Sequence, residues 1–125
     1  MKYKKTKANF IDSRGEIRDI LTHVNVDAVT FISCQKGAVR GNHFHKKTEQ
    51  YDYILSGKII CVTKNKSGKV KRKTLLQGDL VYHPPFEAHA FKALEMSSFL
   101  SMTRGPRNGK DYESDTIRLE KPLIK

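Results

Sequence analysis

Two histidines separated by one residue, His43 and His45, are the side chains of this sequence best spaced to do chemistry together. They lie in Gly37-Ala38-Val39-Arg40-Gly41-Asn42-His43-Phe44-His45, ahead of Glu49, Gln50 and a β-rich run that ends at Gly57. In an extended strand residues i and i+2 share a face, so the two imidazoles project side by side, about 7 Å apart along the strand. Histidine titrates near neutral pH without a large environmental shift, which suits proton transfer. Paired neutral imidazoles suit a divalent metal as well, and the residues alone leave both uses open.

The rest of the chain supplies short strands to hold such a pair. Ala28–Cys34 is rich in β-branched and aromatic residues, and Val39–His45 continues extended. Glu49–Leu55 alternates, with Gln50, Asp52 and Ile54 on one face and Glu49, Tyr51, Tyr53 and Leu55 on the other. Further strands are expected over Lys58–Thr63, Lys69–Leu76, Leu80–His83, from His89, and over Ser98–Thr103, with a weaker one over Glu16–Thr22. Turns fall at Asn65–Gly68, Gln77–Asp79 and Pro84-Pro85, roughly every 8–12 residues. No segment sustains a helical period, so an all-β sandwich or barrel follows, with 104–125 as a C-terminal loop and tail. His83, just before Pro84, is expected near the barrel mouth, and Tyr51, Tyr53 and Tyr82 in the core or a subunit interface.

Composition narrows the class. A chain of 125 residues predicts one domain, residues 1–125. No run approaches the ~18 apolar residues of a membrane helix, and Met1–Lys5 lacks a secretory apolar segment, so a cytoplasmic protein is expected. Cys34 and Cys61 sit in apolar runs and read as reduced core residues, without a CxxC pair to hold zinc. The net charge of +11 concentrates in residues 1–7, 64–73 and 104–110. Those segments lack interleaved aromatics and any nucleic-acid-binding motif, which argues against nucleic acid and for a solvated basic surface or the steering of phosphorylated ligands. The lysine-rich 64–73 hairpin reads as a protected sheet edge.

Gly37, five residues, His43-x-His45, four residues, Gln50, six residues, Gly57 resembles the first motif of the cupin superfamily. Gly78, five residues, Pro84, then His89 resembles the second, so the core motifs span about 37–93. The resemblance implies a single-domain all-β cupin, a jelly-roll barrel whose interior can enclose a ligand. Phe10–Gly15, Arg40-Gly41-Asn42-His43, His43–Gln50, Val81–Pro85 and the tail Asp111–Arg118 further resemble the RmlC-like nucleotide-sugar cupins, in particular dTDP-4-keto-6-deoxyhexose 3,4-ketoisomerases. That resemblance implies an isomerase or epimerase of a nucleotide-diphosphate-linked keto-sugar, working through an enediol with His43 and His45 as the catalytic pair. The resemblance further implies a place in polysaccharide or glycoside synthesis, no required cofactor and a homodimer. Arg40 is then expected at the pyrophosphate, with Gln50, Tyr82 and His89 as further substrate-binding residues.

Two alternatives stand beside this expectation. Many cupins hold one metal through the corresponding histidines and a carboxylate. Here that set is His43, His45 and His89 with Gln50 or Glu49, suited to Fe, Mn, Ni or Zn. The six-residue spacing to Gly57 places Gln50, a neutral and weaker ligand, in the carboxylate slot, and Glu49 points to the opposite face unless a bulge intervenes. The other alternative is a sugar-binding cupin without catalysis, since one fold hosts many chemistries.

Overall fold

Period-two burial organises the molecule, and its clearest case is the strand whose inner face carries Gln50, Asp52 and Ile54, all buried. The computed structural model describes residues 1–125. In chain order the elements are β1 (Lys2–Lys5), β2 (Phe10–Asp12), β3 (Gly15–Ile17), β4 (Ala28–Cys34), β5 (Val39–His45), β6 (Glu49–Ser56), β7 (Lys58–Lys64), β8 (Val70–Leu76), β9 (Asp79–His83), β10 (Ala88–Ala93), β11 (Ser97–Arg104), α1 (Gly109–Asp115) and β12 (Thr116–Arg118).

Two five-stranded sheets form, ordered β1-β9-β6-β11-β4 and β12-β5-β10-β7-β8, with β2 and β3 as a separate hairpin. Neighbouring strands run antiparallel throughout. Ile54, Val81 and Phe99 from the first sheet pack with Ile59, Leu75 and Phe91 from the second in one apolar cluster, which defines the jelly-roll interior. Burying each such side chain stabilises the fold by about 1.5–3 kcal/mol. Both cysteines are free and buried, as their apolar surroundings suggested. Gly57 turns β6 into β7 at φ +87, where a Cβ would meet the Met96 carbonyl oxygen at 2.5 Å, so only glycine fits. The exposed, lysine-rich β8 is an edge strand, and the 65–68 turn is closed by Gly68 N donating to Asn65 O at 2.9 Å.

Three segments depart from the sequence expectation. Only Glu16 and Ile17 of the expected Glu16–Thr22 strand are paired, as part of β3. Beyond it Arg18 donates to the Thr6 carbonyl at 2.6 Å and Asp19 N to Asn9 Oδ1 at 2.6 Å, which bends the chain out of the strand. β1 carries no hydrophobic signal because all four residues are exposed, yet it hydrogen-bonds along β9. The C-terminal loop and tail expected over 104–125 contains α1, seven residues with only Asp115 buried, too short to leave a period in the sequence. No helix is long and apolar enough to cross a membrane.

Candidate active site

One end of the barrel interior is lined by imidazoles. His43 and His45 project inward from β5, and His89 from β10 lies opposite His43 in the register. The ring centroids of His43 lie 4.8 Å from those of both His45 and His89. A bulge sets this up: Gly41 (φ +84) and Asn42 (φ +57) are both left-handed, and the β5–β10 register shifts there. The extra residue returns Arg40 to the face that carries His43. A Cβ on Gly41 would lie 2.7 Å from the His89 carbonyl oxygen, so the position demands glycine. Asn42 uses its outward side chain to hold the C-terminal segment, donating to Ile124 O and accepting from Leu123 N.

Electrostatically the three histidines are kept neutral. Burial, then the charges of His45 and Arg118, pull His43 down to about 4. Burial also lowers His45, opposed by the Asp115 carboxylate and a hydrogen bond with Gln50. His89 lies well below its ordinary value, lowered by burial and then by His83 and the other two rings. Its Nδ1 faces the Glu87 carbonyl at 3.3 Å; since a carbonyl only accepts, Nδ1 carries the proton and the buried, unpartnered Nε2 keeps a free lone pair.

The support around His45 comes from the tail. β12 pairs with β5 so that Thr116 lies opposite His45. Thr116 Oγ1 donates to Tyr112 O at 2.8 Å, so it accepts from His45 Nδ1 at 3.2 Å. The buried Asp115 carboxylate accepts from Lys47 N at 2.7 Å and from Thr48 Oγ1 at 2.6 Å, which pins the β5–β6 turn. A cavity of about 190 Å³ opens over His43, Gln50 and His89, with Arg40, Arg107 and Tyr112 at its side. That is smaller than the ~300–1,000 Å³ that encloses a drug-sized ligand, so it suits a small ring with the remainder of a larger ligand outside. Arg40 donates to Ser33 O at 2.8 Å and to Cys34 Sγ at 3.3 Å; Arg107 donates to Thr30 Oγ1 at 3.1 Å and lies 5.1 Å over the Tyr112 ring.

The structure therefore brings together His43, His45, Gln50, His89 and Arg40 from the residues singled out by sequence. It does not bring Tyr82 or Glu49. Both face away from the cavity on the outer side of the first sheet, where Tyr82 Oη donates to Glu49 Oε1 at 3.0 Å and Glu49 pairs with Arg104 at 2.5 Å. β6 has no bulge at Glu49 to turn it inward, and Tyr82 has the opposite parity to His83 on β9. Nor is His83 at the mouth: it is 1% exposed, stacked on His89 at 4.6 Å. Arg107, Tyr112, Asp115 and Thr116 escaped the sequence reading of roles, although the Asp111–Arg118 motif contains three of them. Only the pairing of β12 with β5 carries them to the histidines.

A metal can be tested against these residues. One ligand atom from each of His43, His45 and His89 lies within 4.8 Å of the others, and three neutral imidazoles with a free Nε2 fit a divalent ion. Bonds of 2.1 Å at a tetrahedral angle would need separations of about 3.4 Å, so the rings would have to close. No carboxylate completes the set, because Glu49 is outside and the Gln50 Nε2 is bound to Asp52 Oδ2 at 2.9 Å.

Comparison with known proteins gives the context. The family model described as Cupin matches residues 17–109. No curated protein sequence matches the chain. Among solved structures, the sugar 3,4-ketoisomerase QdtA from Thermoanaerobacterium thermosaccharolyticum, in complex with TDP, superposes with a TM-score of 0.79 at 21% identity, covering 95% of this chain and 88% of that one. The RmlC epimerase of Mycobacterium tuberculosis gives 0.79 at 19% identity, with 94% and 67% covered. The dTDP-4-dehydrorhamnose 3,5-epimerase from Sulfolobus tokodaii gives 0.75 at 23%, with 88% and 72% covered. Identities this low speak for the shared fold. With the family model covering most of its length and the barrel, bulge and histidine lining in place, the chain belongs to the cupin family and has the RmlC-like form of its fold.

Proposed function

We propose that this cupin, with residues 1–125 as one domain, isomerises a nucleotide-diphosphate-linked 4-keto-6-deoxy sugar by proton transfer from C3 to C4. The observation that carries the reading is a pocket lined by neutral histidines in which Gln50, rather than a carboxylate, occupies the metal-ligand slot. The structural likeness to a 3,4-ketoisomerase and to 3,5-epimerases agrees with it.

The chemistry needs one group that takes a proton and one that returns it. His43, held neutral down to about pH 4, takes the C3 proton; the C3–H electrons form C3=C4 and the C4 carbonyl oxygen becomes protonated, giving the enediol. Loss of the O3 proton then makes the C3 carbonyl as C4 is protonated, so no oxidant or cofactor is required. His45, whose two nitrogens face Thr116 Oγ1 and Gln50, is the ring oriented to hold and return a proton. His89 Nε2 accepts from a sugar hydroxyl. The sugar ring fills the cavity while the diphosphate meets Arg40 and Arg107 at the side, where planar guanidinium groups bind two oxygens at once. The chain acts as a homodimer, which would cover Val29 and Phe31, exposed on the edge strand β4.

The test is exchange of the C3 proton of TDP-4-keto-6-deoxyglucose with deuterated solvent, using metal-stripped protein. Exchange is expected in the wild type and is expected to fall by 10²–10⁴-fold in His43→Asn without loss of fold. Binding without exchange would instead make the protein a sugar-binding cupin. The three-histidine cluster favours one second reading, a metal-dependent cupin in which His43, His45 and His89 hold an ion that polarises a substrate oxygen. Stoichiometric metal in tag-free protein, with activity that depends on it, would establish that reading and displace the first.

A further inference from the structure

Directly behind the pocket lies a run of buried charges that the reaction above does not use. Asp52, two residues after Gln50 on the inner face of β6, is 0% exposed; His83, opposite Gln50 on β9, is 1% exposed, and Glu87 is 5% exposed. Gln50 Nε2 donates to Asp52 Oδ2 at 2.9 Å. The same oxygen lies 3.3 Å from His83 Nε2, close enough for an ion pair but not aligned for a hydrogen bond. On its other side His83 Nδ1 meets Glu87 Oε1 at 3.3 Å, and Glu87 Oε2 accepts from the Met1 amino group at 2.5 Å. Burial alone would lower His83, but the carboxylates of Asp52 and Glu87 on its two sides outweigh it and raise the ring above its ordinary value.

Such an arrangement has no obvious value for stability. Replacing buried ion networks with apolar side chains of similar volume is often neutral or stabilising by 1–4 kcal/mol. The other half of this barrel is filled in that way, by Ile54, Ile59, Leu75 and Val81. Two other buried carboxylates, Asp79 and Asp115, accept from the backbone amides of Leu76 and Lys47, whereas Asp52 and Glu87 flank His83 behind the histidine pocket.

We propose that Asp52, itself fixed by His83 and Glu87, is a positioning residue that holds the Gln50 amide with its oxygen toward His45. The proposal rests on the proton-transfer reading above. An amide has two ends of nearly equal size, and nothing in its shape prevents a flip. A carboxylate only accepts, so only the Nε2 end can face Asp52. Oε1 is thereby left to face the His45 ring, where it favours the protonated form. His45 Nδ1 is already directed at Thr116 Oγ1, so the nitrogen that Gln50 receives is Nε2. The two acceptors hold the ring in one orientation, and both bonds are made when it carries the proton that it returns.

The test separates positioning from general stability. An Asn at position 52 can present either end of its own amide, so Asp52→Asn removes the dictated orientation with almost no change of volume. C3-proton exchange on TDP-4-keto-6-deoxyglucose is expected to show kcat about 10-fold lower in Asp52→Asn with KM changed less than two-fold. In a Gln50→Leu background the same substitution should lower kcat no further, since there is no amide left to orient. Wild-type kcat in Asp52→Asn, or an effect that adds fully to that of Gln50→Leu, would overturn the proposal. An independent measurement needs neither activity nor a variant: nuclear Overhauser contacts in wild-type protein should place the Gln50 NH₂ protons nearer the Asp52 Hβ protons than the carbon-bound protons of the His45 ring. Gln50 NH₂ protons nearer the His45 ring would mean that the amide is flipped, and would equally overturn it. Failure of the wild type to exchange the C3 proton while the Gln50 NH₂ group faces Asp52 would sink the isomerase reading and leave the positioning role standing.

Discussion

The two halves of one barrel interior are filled by opposite chemistries, and the same strands build both. Along the inner face of β6, Gln50 and Asp52 give way to Ile54; along β10, His89 to Phe91 and Ala93; along β11, Thr103 and Ser101 to Phe99; along β9, His83 to Val81; along β7, Thr63 to Cys61 and Ile59. Period-two alternation makes every one of these residues inward-facing, so burial alone does not distinguish a site from a core. What distinguishes them is the demand each makes. The apolar half needs only volume and shape, whereas each polar atom in the other half needs a partner, and four lack one: Asp52 Oδ1, His83 Nε2, His89 Nε2 and Thr103 Oγ1. Unsatisfied groups concentrated at one end mark the end where a ligand is expected.

That contrast can be broken from either side. Leu75→Ala, a cut into the fully buried apolar half, is expected to destabilise the protein by about 2–5 kcal/mol in urea unfolding. Exchange activity per folded molecule should be unchanged, because Leu75 lies on the far edge strand β8. Acid should act on the polar half. His43, His45 and His89 all lie below their ordinary value, so the unfolded chain binds more protons between about pH 4 and 6.5, and stability rises with pH through that window. His83 acts in the opposite sense: its contribution is present below pH 6.5 and fades as pH rises through its raised value. Urea midpoints are expected to drop from pH 6.5 to pH 4, with His43 alone responsible for up to about 3 kcal/mol. His43→Asn should make that slope visibly shallower. The smallest effect belongs to the outer face. Tyr82→Phe removes only the bond to Glu49 and should cost under about 1 kcal/mol. It should leave exchange within two-fold, and a large loss would mean that the outer face takes part in binding.

Much of this site was legible in the chain because its signals are local. The His43-x-His45 spacing, the count from Gln50 to Gly57 and the alternation from Glu49 to Leu55 each need only the two-residue period of a strand. Tyr82, placed at the substrate by the family resemblance, has the outward parity of β9 and lies beside Tyr51 at 4.7 Å. The bulge at Gly41–Asn42 has a partial signature, since both residue types tolerate a left-handed backbone, but its consequence for Arg40 is visible only once β5 is paired with β10. β1 and α1 left no pattern, one being wholly exposed and the other only two turns long.

The sequence by itself determined the all-β class, the inward pair of imidazoles and the replacement of a carboxylate by Gln50, since each follows from residue type and strand period. Long-range pairing decided the rest. β12 lies beside β5 although about seventy residues separate Thr116 from His45, which is how Thr116 and Asp115 reach the histidine. β9 lies beside β6, which is how His83 meets Asp52 and how Asp52 comes to orient Gln50. Contacts of that range depend on strand order and register, which no local spacing encodes.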